Sequence, residues 1–189
     1  MDGYYDPMLT PVPDKPVALC GFAGAGVLET ASAICHFSGL TFVDVERRME
    51  HELGSSLEQH VRKSGMDGLA DIEHRAIHRG LRENPPPIIA LRPFCLLDER
   101  NLRMLERHST LIYIERNIFL LFSRILDQLE NNLQTRMLEF QGHDPRDITS
   151  MSRLLSRMEP LYKAADHRID AVDKHPRELA RDVLKLICD

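Results

Sequence analysis

Hydrophobic and polar residues form alternating blocks along this chain, and the blocks fit strands and helices in turn. Short apolar runs typical of buried strands are separated by longer segments in which apolar residues recur with helical spacing. The predicted strands are 17–20, 40–43, 88–91, 110–114 and 167–172. The predicted helices are 27–37, 98–107, 117–129, 148–165 and 177–187. Because Pro160 lies inside the fourth of these helices, we expect a break or kink there.

The order of these elements predicts the fold class. Strands that alternate with helices favour a parallel sheet with right-handed crossovers. We therefore predict an α/β fold, a three-layer sandwich built on a five-stranded parallel sheet. Residues 1–15 contain three prolines and no periodicity, which predicts a flexible tail before a single domain at 16–189. Two polar excursions, about 45–83 and about 130–147, interrupt the domain, and the first is mostly helical.

Composition excludes several classes of protein. The net charge of −5 argues against a broad nucleic-acid surface. No apolar run approaches the roughly 20 residues that span a bilayer, and the first residues lack the layout of a signal peptide. The scattered cysteines form no C-x-x-C pair, so we expect reduced thiols, a cytoplasmic location and no zinc site. They are Cys20, Cys35, Cys95 and Cys188.

A glycine-rich segment joins the first strand to the first helix. Gly21, Gly24 and Gly26 lie there, and the spacing from the first to the last is that of the phosphate-binding motif G-x-x-x-x-G-K-[ST]. The motif's Lys reaches the nucleotide phosphates and its hydroxyl holds Mg²⁺. Val27 and Leu28 stand at those two positions and can do neither. The pattern predicts a phosphate loop that has lost its chemistry, and an ordinary strand-to-helix turn is the alternative.

Further segments stand in the order and spacing of one enzyme family. From about Val17 to its end the chain resembles the shikimate kinases, within the nucleoside-monophosphate-kinase group of P-loop proteins. The landmarks besides the glycine loop are Phe42–Glu46, Ile72-Glu73, the Leu-Ile-Tyr-Ile-Glu strand ending at Glu115, Pro160-Leu161-Tyr162 and the turn from Asp170 to Pro176. The resemblance implies that the excursion at 45–83 is substrate-binding and that the one at 130–147 is a lid.

The resemblance assigns roles to several retained residues. Asp44 matches the aspartate that holds Mg²⁺ through water, although it can equally cap the following helix. Glu46 matches an aspartate that contacts the substrate hydroxyls. Arg136 matches a lid arginine, with a solvated surface residue as the alternative, and Lys174 lies in the turn on the adenine side. ATP and Mg²⁺ are therefore the cofactors that the resemblance implies, to be weighed against the altered loop.

The resemblance also exposes departures from the family pattern. Ala70 and Met158 stand where two arginines should bind the substrate carboxylate. Arg92-Pro93-Phe94 replaces a Gly-Gly-Gly run, filling space where the substrate ring should lie. We expect Arg92 to form a structural ion pair with Glu46 or Asp44 rather than to act in catalysis. All these changes remove cationic groups or space from the phosphate and carboxylate sites.

Three functions follow as hypotheses. The first is a shikimate-kinase-like protein without ATP-dependent shikimate phosphorylation, with a regulatory, ligand-sensing or partner-binding role. The second is a divergent kinase for another alcohol, in which Arg92 or Arg136 supplies the missing cation. The third is a nucleotide or anion sensor without turnover. We expect a protein partner or a small anionic ligand, no nucleic acid and no membrane, with a homodimer through Phe119–Phe122 as one alternative.

Overall fold

The computed structural model describes residues 12–129 and 133–188, so residues 1–11 of the predicted tail lie outside the described part. The strands are β1 (Val17–Cys20), β2 (Phe42–Asp44), β3 (Ile88–Ala90), β4 (Thr110–Glu115) and β5 (His167–Asp170). The helices are α1 (Val27–Ser38), α2 (Val45–Leu53), α3 (Leu57–Ser64), α4 (Leu69–Gly80), α5 (Glu99–His108), α6 (Ile118–Gln128), α7 (Leu133–Phe140), α8 (Ile148–Tyr162) and α9 (Pro176–Cys188). A 3₁₀ turn, Cys95–Leu97, precedes α5.

The five strands form one parallel sheet in the order β2-β3-β1-β4-β5. This confirms the predicted α/β class. β1 is buried along its whole length at the centre of the sheet, as a strand with neighbours on both edges and helices over its faces must be. Since all strands run the same way, their carboxyl ends lie at one edge, where ligands of such sheets bind. Gly21, Arg92 and Arg116 follow three of those ends.

Local side-chain caps fix where several helices begin. Asp44 accepts a hydrogen bond from Arg47 N at the start of α2, at 3.1 Å. Ser56 forms a capping box with Gln59 at the start of α3. Asn117 accepts from Leu120 N at the start of α6. Each cap satisfies a backbone N–H that the helix itself leaves without a partner.

The structure corrects several predicted boundaries. β2 begins two residues later than expected and includes Asp44. Of the break or kink expected at Pro160, the break is wrong, because α8 continues through the proline and ends at Tyr162, while the kink stays a prediction. Pro160 has no N–H to donate to the Ser156 carbonyl, so α8 continues past it without that hydrogen bond. The lid-like excursion contains α7, whose Met137 and Leu138 are buried. Within the described residues, no helix combines the length and apolar character needed to cross a membrane.

Candidate functional site

The glycine segment forms a tight loop between β1 and α1. Gly24 and Gly26 have φ angles of 82° and 86°, in the left-handed region that favours glycine. Gly21 is needed for a different reason: a Cβ there would lie 2.8 Å from the Ala25 Cβ and 3.0 Å from the Ile114 carbonyl oxygen. The glycines are therefore required by the shape of the loop, whatever binds to it.

Arg116 ties this loop to the turn after β5. Its guanidinium is buried and donates to the carbonyl oxygens of Ala25, at 3.0 Å, Ala171, at 2.5 Å, and Lys174, at 3.1 Å. Burial lowers the pKa of Arg116, and the nearby Arg124 lowers it further. Because its guanidinium donates to backbone oxygens of two segments, Arg116 acts as a structural cross-link.

Arg124 reaches the loop from α6. Its Nε donates to the Gly24 carbonyl oxygen at 2.7 Å, and its Nη2 lies 3.4 Å from Glu29 Oε1 in the first turn of α1. The same Nη2 lies 3.5 Å from the point where a Gly26 Cβ would stand. One guanidinium therefore lies beside the loop, already engaged by a carbonyl and a carboxylate of the chain.

Tyr162 connects the loop to the segment that follows β3. Its hydroxyl lies 2.5 Å from the Pro93 carbonyl oxygen and 3.1 Å from the Gly21 carbonyl oxygen. Its ring stacks on Tyr113, with 4.9 Å between the ring centroids. The Tyr162 side chain is fully enclosed, so this contact is part of the core as well as of the site.

A cavity of about 90 Å³ lies at the glycine loop. Its only charged lining groups within the described residues are the carboxylates of Glu29 and Glu46. The remaining lining residues are Phe22, Gly24, Gly26, Val27, Leu28, Leu91, Pro93 and Gln128. This loop cavity is well below the roughly 300 Å³ at which small-molecule pockets usually begin.

Arg92 forms a buried cluster with two carboxylates. Its Nη1 donates to Glu73 Oε1 at 2.8 Å, and its Nε lies 3.6 Å from Glu46 Oε2. Neither that Nε nor that Oε2 has a hydrogen-bond partner within the described residues. The predicted ion pair with Glu46 is confirmed, and the alternative with Asp44 is wrong, because Asp44 turns to cap α2.

Two carboxylates sharing one guanidinium leave this cluster with a negative balance. Burial raises the pKa of Glu73, and Arg92 opposes the shift only in part. Burial likewise raises the pKa of Glu46, with Asp44 and Glu50 adding to the rise. The buried charges of this cluster are therefore unfavourable for stability. The Arg92 guanidinium faces the protein's own carboxylates.

The other residues predicted for a substrate-like pocket are packed. Phe94 sets its ring edge-on to Phe22, with 6.2 Å between centroids and 83° between planes. Met158 is fully buried in the core and does not line the loop cavity. The segment Arg92-Pro93-Phe94 thus folds back over the glycine loop, with Tyr162 beneath it.

The remaining predicted residues are more scattered. Asp44 lies at the carboxyl end of β2 and does not line the loop cavity. Lys174 offers its carbonyl to Arg116, while its ammonium pairs with Asp182 at 2.8 Å. The side chain of Arg136 lies outside the described residues, although its backbone is in α7. Their roles toward a nucleotide stay predictions.

Sequence reasoning missed three residues of this region. Glu73 was a landmark of the family pattern without a role, and the structure makes it the nearer partner of Arg92. Arg116 follows the end of β4 directly, which is a signal that it lies at the ligand edge of the sheet. Arg124 carried no signal, because its contact with Gly24 spans 100 positions.

A parallel sheet in this order, with a glycine loop between its central strand and the first helix, defines a P-loop kinase-like fold. Comparison with solved structures agrees. The shikimate kinase of Acinetobacter baumannii, solved in complex with shikimate, superposes with a TM-score of 0.79 at 21% identity, covering 95% of both chains. That of Aquifex aeolicus gives 0.74 at 18% identity, covering 90% of this chain and 94% of its own.

Comparisons of the sequence then assign the chain to a protein family. The family model described as shikimate kinase matches residues 23–188. The shikimate kinase of Thermodesulfovibrio yellowstonii is 25% identical over 171 residues, covering 90% of this chain and 94% of that protein. That of Persephonella marina is 23% identical over 175 residues, covering 90% and 97%. The chain belongs to the shikimate kinase family.

The loop geometry predicts different costs for two alanine substitutions. Gly142 has a φ of 79° with open space around it, so Gly142→Ala should lower the free energy of unfolding by about 1 kcal/mol. Gly24→Ala adds a clash, because its Cβ would lie 3.0 Å from the Leu121 carbonyl oxygen. We expect a loss of about 2–3 kcal/mol there, measured by urea unfolding. Equal losses of stability in the two variants would contradict the close approach of a Gly24 Cβ to the Leu121 carbonyl oxygen.

The Arg92 cluster predicts a pH-dependent loss of stability. Arg92→Met leaves two buried carboxylates without their cation, and should lower the free energy of unfolding by about 3–5 kcal/mol near neutral pH. When folding raises the pKa of a carboxyl, that group stabilises the folded state fully at pH values below its ordinary pKa of 4.5. This stabilisation is lost as the pH rises through the pKa of the folded state. The variant's loss should therefore shrink in acid.

Urea unfolding at about pH 8 and about pH 5 measures this difference. Arg103→Met is the matched control, since it breaks only an exposed pair with Glu99 and should change stability by about 0.5 kcal/mol or less at either pH. An equal loss for Arg92→Met at both pH values would mean that packing, and not charge, accounts for its effect.

Proposed function

We propose that this member of the shikimate kinase family does not phosphorylate shikimate with ATP, and that its fold serves a regulatory, ligand-sensing or partner-binding role. One observation carries the proposal. The loop cavity is lined by two carboxylates, Glu29 and Glu46, and by no lysine or arginine of the described residues. Val27 and Leu28 follow the loop where a P-loop enzyme needs Lys and Ser or Thr.

The sign and the size of the charge interactions between the loop and a phosphate both support this proposal. The attraction between a unit charge and a phosphate charge 4 Å away is roughly 1 kcal/mol in water and roughly 4 kcal/mol near a protein surface. A missing lysine forfeits that attraction, and a carboxylate at the same mouth adds repulsion. The lysine of a P-loop also stabilises the charge that develops during phosphoryl transfer, so its loss affects the rate as well as binding. Arg124 offsets Glu29 only in part, because its Nε is held by Gly24.

Lack of space supports it as well. Pro93 and Phe22 line the loop cavity, and Phe94 packs edge-on against Phe22. Ala70 and Met158 offer no guanidinium for a carboxylate. The buried Arg92 faces Glu73 and Glu46, and the buried Arg116 donates to backbone carbonyls. Shikimate, an acid, would have to displace one of those carboxylates from Arg92 to find a cationic partner.

The residues present do not fit ATP and Mg²⁺. Asp44, the residue predicted to hold Mg²⁺, accepts a hydrogen bond from Arg47 N instead of facing the loop cavity. We therefore derive no step of catalysis through a nucleotide or its metal.

A binding role needs surfaces that the fold retains. Backbone N–H groups at the start of α1 remain available for a small anion. On α6, the Phe119 side chain is 72% exposed and Leu126 is 42% exposed. These residues form the patch that a protein partner, including a second copy of the chain, could cover. Phe122, by contrast, packs partly against the core.

A second candidate is a divergent kinase that phosphorylates another alcohol, and Arg124 favours it. Arg124 Nη2 lies beside the loop, whereas Arg92, expected as the relocated cation, is engaged by Glu73 and Glu46. If Arg124 replaces the lysine, ATP should bind in calorimetry and Arg124→Met should abolish that binding. Binding unchanged in Arg124→Met excludes this candidate.

The test of the main proposal is a coupled assay of ADP release with ATP, Mg²⁺ and shikimate. We expect no shikimate-dependent ADP release, with the Thermodesulfovibrio yellowstonii enzyme as positive control. Turnover that depends on shikimate and disappears in Asp44→Ala would overturn the proposal, because it would show that the Mg²⁺ aspartate still acts.

A repair variant tests the physical reason for the loss. Val27→Lys with Leu28→Ser restores both missing groups and should tighten Mg²⁺–ATP binding by about tenfold or more, as a charge contact of this size implies. Val27→Met with Leu28→Ser is the matched control, since it adds similar bulk without charge. No gain over the control would mean that Phe22, Pro93 or Glu29 blocks the loop to phosphate.

A further inference from the structure

A larger cavity lies away from the glycine loop, between β4, β5, α8 and the start of α6. Its volume is about 360 Å³, within the range of small-molecule sites. It shares no lining residue with the loop cavity. We call it the β4–β5 cavity, and its lining residues are Tyr113, Glu115, Arg116, Asn117, Ile118, Ser152, Leu155, Ser156, Glu159, Arg168, Asp170 and Val172.

A tyrosine hydroxyl that accepts or donates no hydrogen bond within the described residues lies at this cavity. Tyr113 is only 2% exposed, and its ring stacks on Tyr162. Within the described residues no group hydrogen-bonds to its hydroxyl. Burial raises the pKa of the Tyr113 phenol, and the carboxylates of Glu115 and Glu159 raise it further. The Tyr113 hydroxyl is not one of the fully buried unpartnered atoms of the described residues, so it is open to the cavity, where a ligand can hydrogen-bond to it.

The walls of the cavity offer donors and acceptors together. Glu115 forms an ion pair with Arg168 across the two strands. Glu159 adds a carboxylate, while Ser152 supplies a hydroxyl. The side of Leu155 gives an apolar surface. A site of this kind, with mixed polar groups around one apolar wall, matches a ligand whose own groups both donate and accept.

The charge balance argues against an anion. Three carboxylates line the cavity, those of Glu115, Glu159 and Asp170, against two guanidinium groups. One of the two, Arg116, spends its donors on three backbone carbonyls, and the other, Arg168, is paired with Glu115. The lining carboxylate of Glu159 is paired in turn with Lys163, at 3.4 Å. An anion would therefore find each of these cations already engaged by a group of the chain, whereas a neutral ligand needs no cationic partner.

We propose that the β4–β5 cavity binds a small neutral polyhydroxylated compound, whose hydroxyls contact the Tyr113 phenol and the facing carboxylates while one apolar face lies on Leu155. Each hydroxyl of such a compound can donate to a carboxylate and accept from a phenol or a guanidinium. This inference is independent of the proposed function, because it uses a different cavity and requires no statement about nucleotide binding.

The test is saturation-transfer NMR followed by titration with myo-inositol, D-glucose and D-ribose. Inorganic phosphate and ethanolamine serve as the anionic and cationic probes. We expect saturable binding of at least one polyol and none of the two ions. Tyr113→Phe keeps the ring stacked on Tyr162 and removes only the hydroxyl, so affinity should fall about tenfold, the size of one hydrogen bond that is lost.

Two further variants separate the cavity from the fold. Tyr162→Phe makes the same chemical change outside the cavity and should leave polyol affinity within about twofold, well under the loss of one hydrogen bond. Ser156 is an exposed lining residue of α8, so Ser156→Trp should fold, obstruct the cavity and abolish binding. It also introduces the chain's only tryptophan, whose fluorescence reports folding.

Each remaining outcome overturns the proposal. Absence of polyol binding at millimolar concentration, or binding that Tyr113→Phe and Ser156→Trp leave unchanged, would show that the cavity is not the site. Binding of phosphate or ethanolamine in preference to the polyols, lost in Ser156→Trp, would assign the cavity to a charged ligand instead.

Discussion

The candidate site depends on how the chain's own side chains hold the glycine loop. Arg116 donates to the Ala25 carbonyl, Arg124 donates to the Gly24 carbonyl, and the Thr30 hydroxyl donates to the Gly26 carbonyl at 2.7 Å. A backbone carbonyl that lacks a partner in a buried turn is unfavourable, so these three donors stabilise the loop from within. The same contacts anchor α6 and the turn after β5 to the loop. The loop's shape is thus supported by the protein's own side chains.

Around that fixed loop, the distribution of charge decides what can bind. The carboxylates of Glu29 and Glu46 face the loop cavity, while the nearby guanidinium groups are each engaged by groups of the chain. Arg92 shows the principle clearly. It enters the region where a family member is expected to have only glycine, yet its Nη1 donates to Glu73 and its Nε lies beside the Glu46 carboxylate. Adding a positive residue to a site therefore does not restore a positive potential when the protein supplies two negative partners with it.

Much of this arrangement could be predicted from sequence, and the reasons for the rest are physical. The strands, the parallel sheet and the glycine loop follow from local patterns, namely apolar runs, helical spacing and glycine spacing. The sequence predicted an ion pair of Arg92 with Glu46 or Asp44, and the structure selects Glu46. The contact of Arg124 with Gly24 could not be predicted, because it depends on how α6 crosses the loop and not on any local signal. Continuation of α8 through Pro160 likewise depends on where the helix ends, which propensity does not fix.

Tyr162 supports the glycine loop independently of the residues that follow the loop. Its hydroxyl lies within hydrogen-bond distance of the Gly21 and Pro93 carbonyl oxygens, and its ring stacks on Tyr113 in the core. Neither contact involves a group that a nucleotide or substrate would touch as a reacting partner, so both are indifferent to the identities of Val27 and Leu28. Residues that shape the loop are therefore separable from residues that act on a ligand. In this chain the shaping residues are present, while the side chains around the loop cavity present carboxylates and apolar groups.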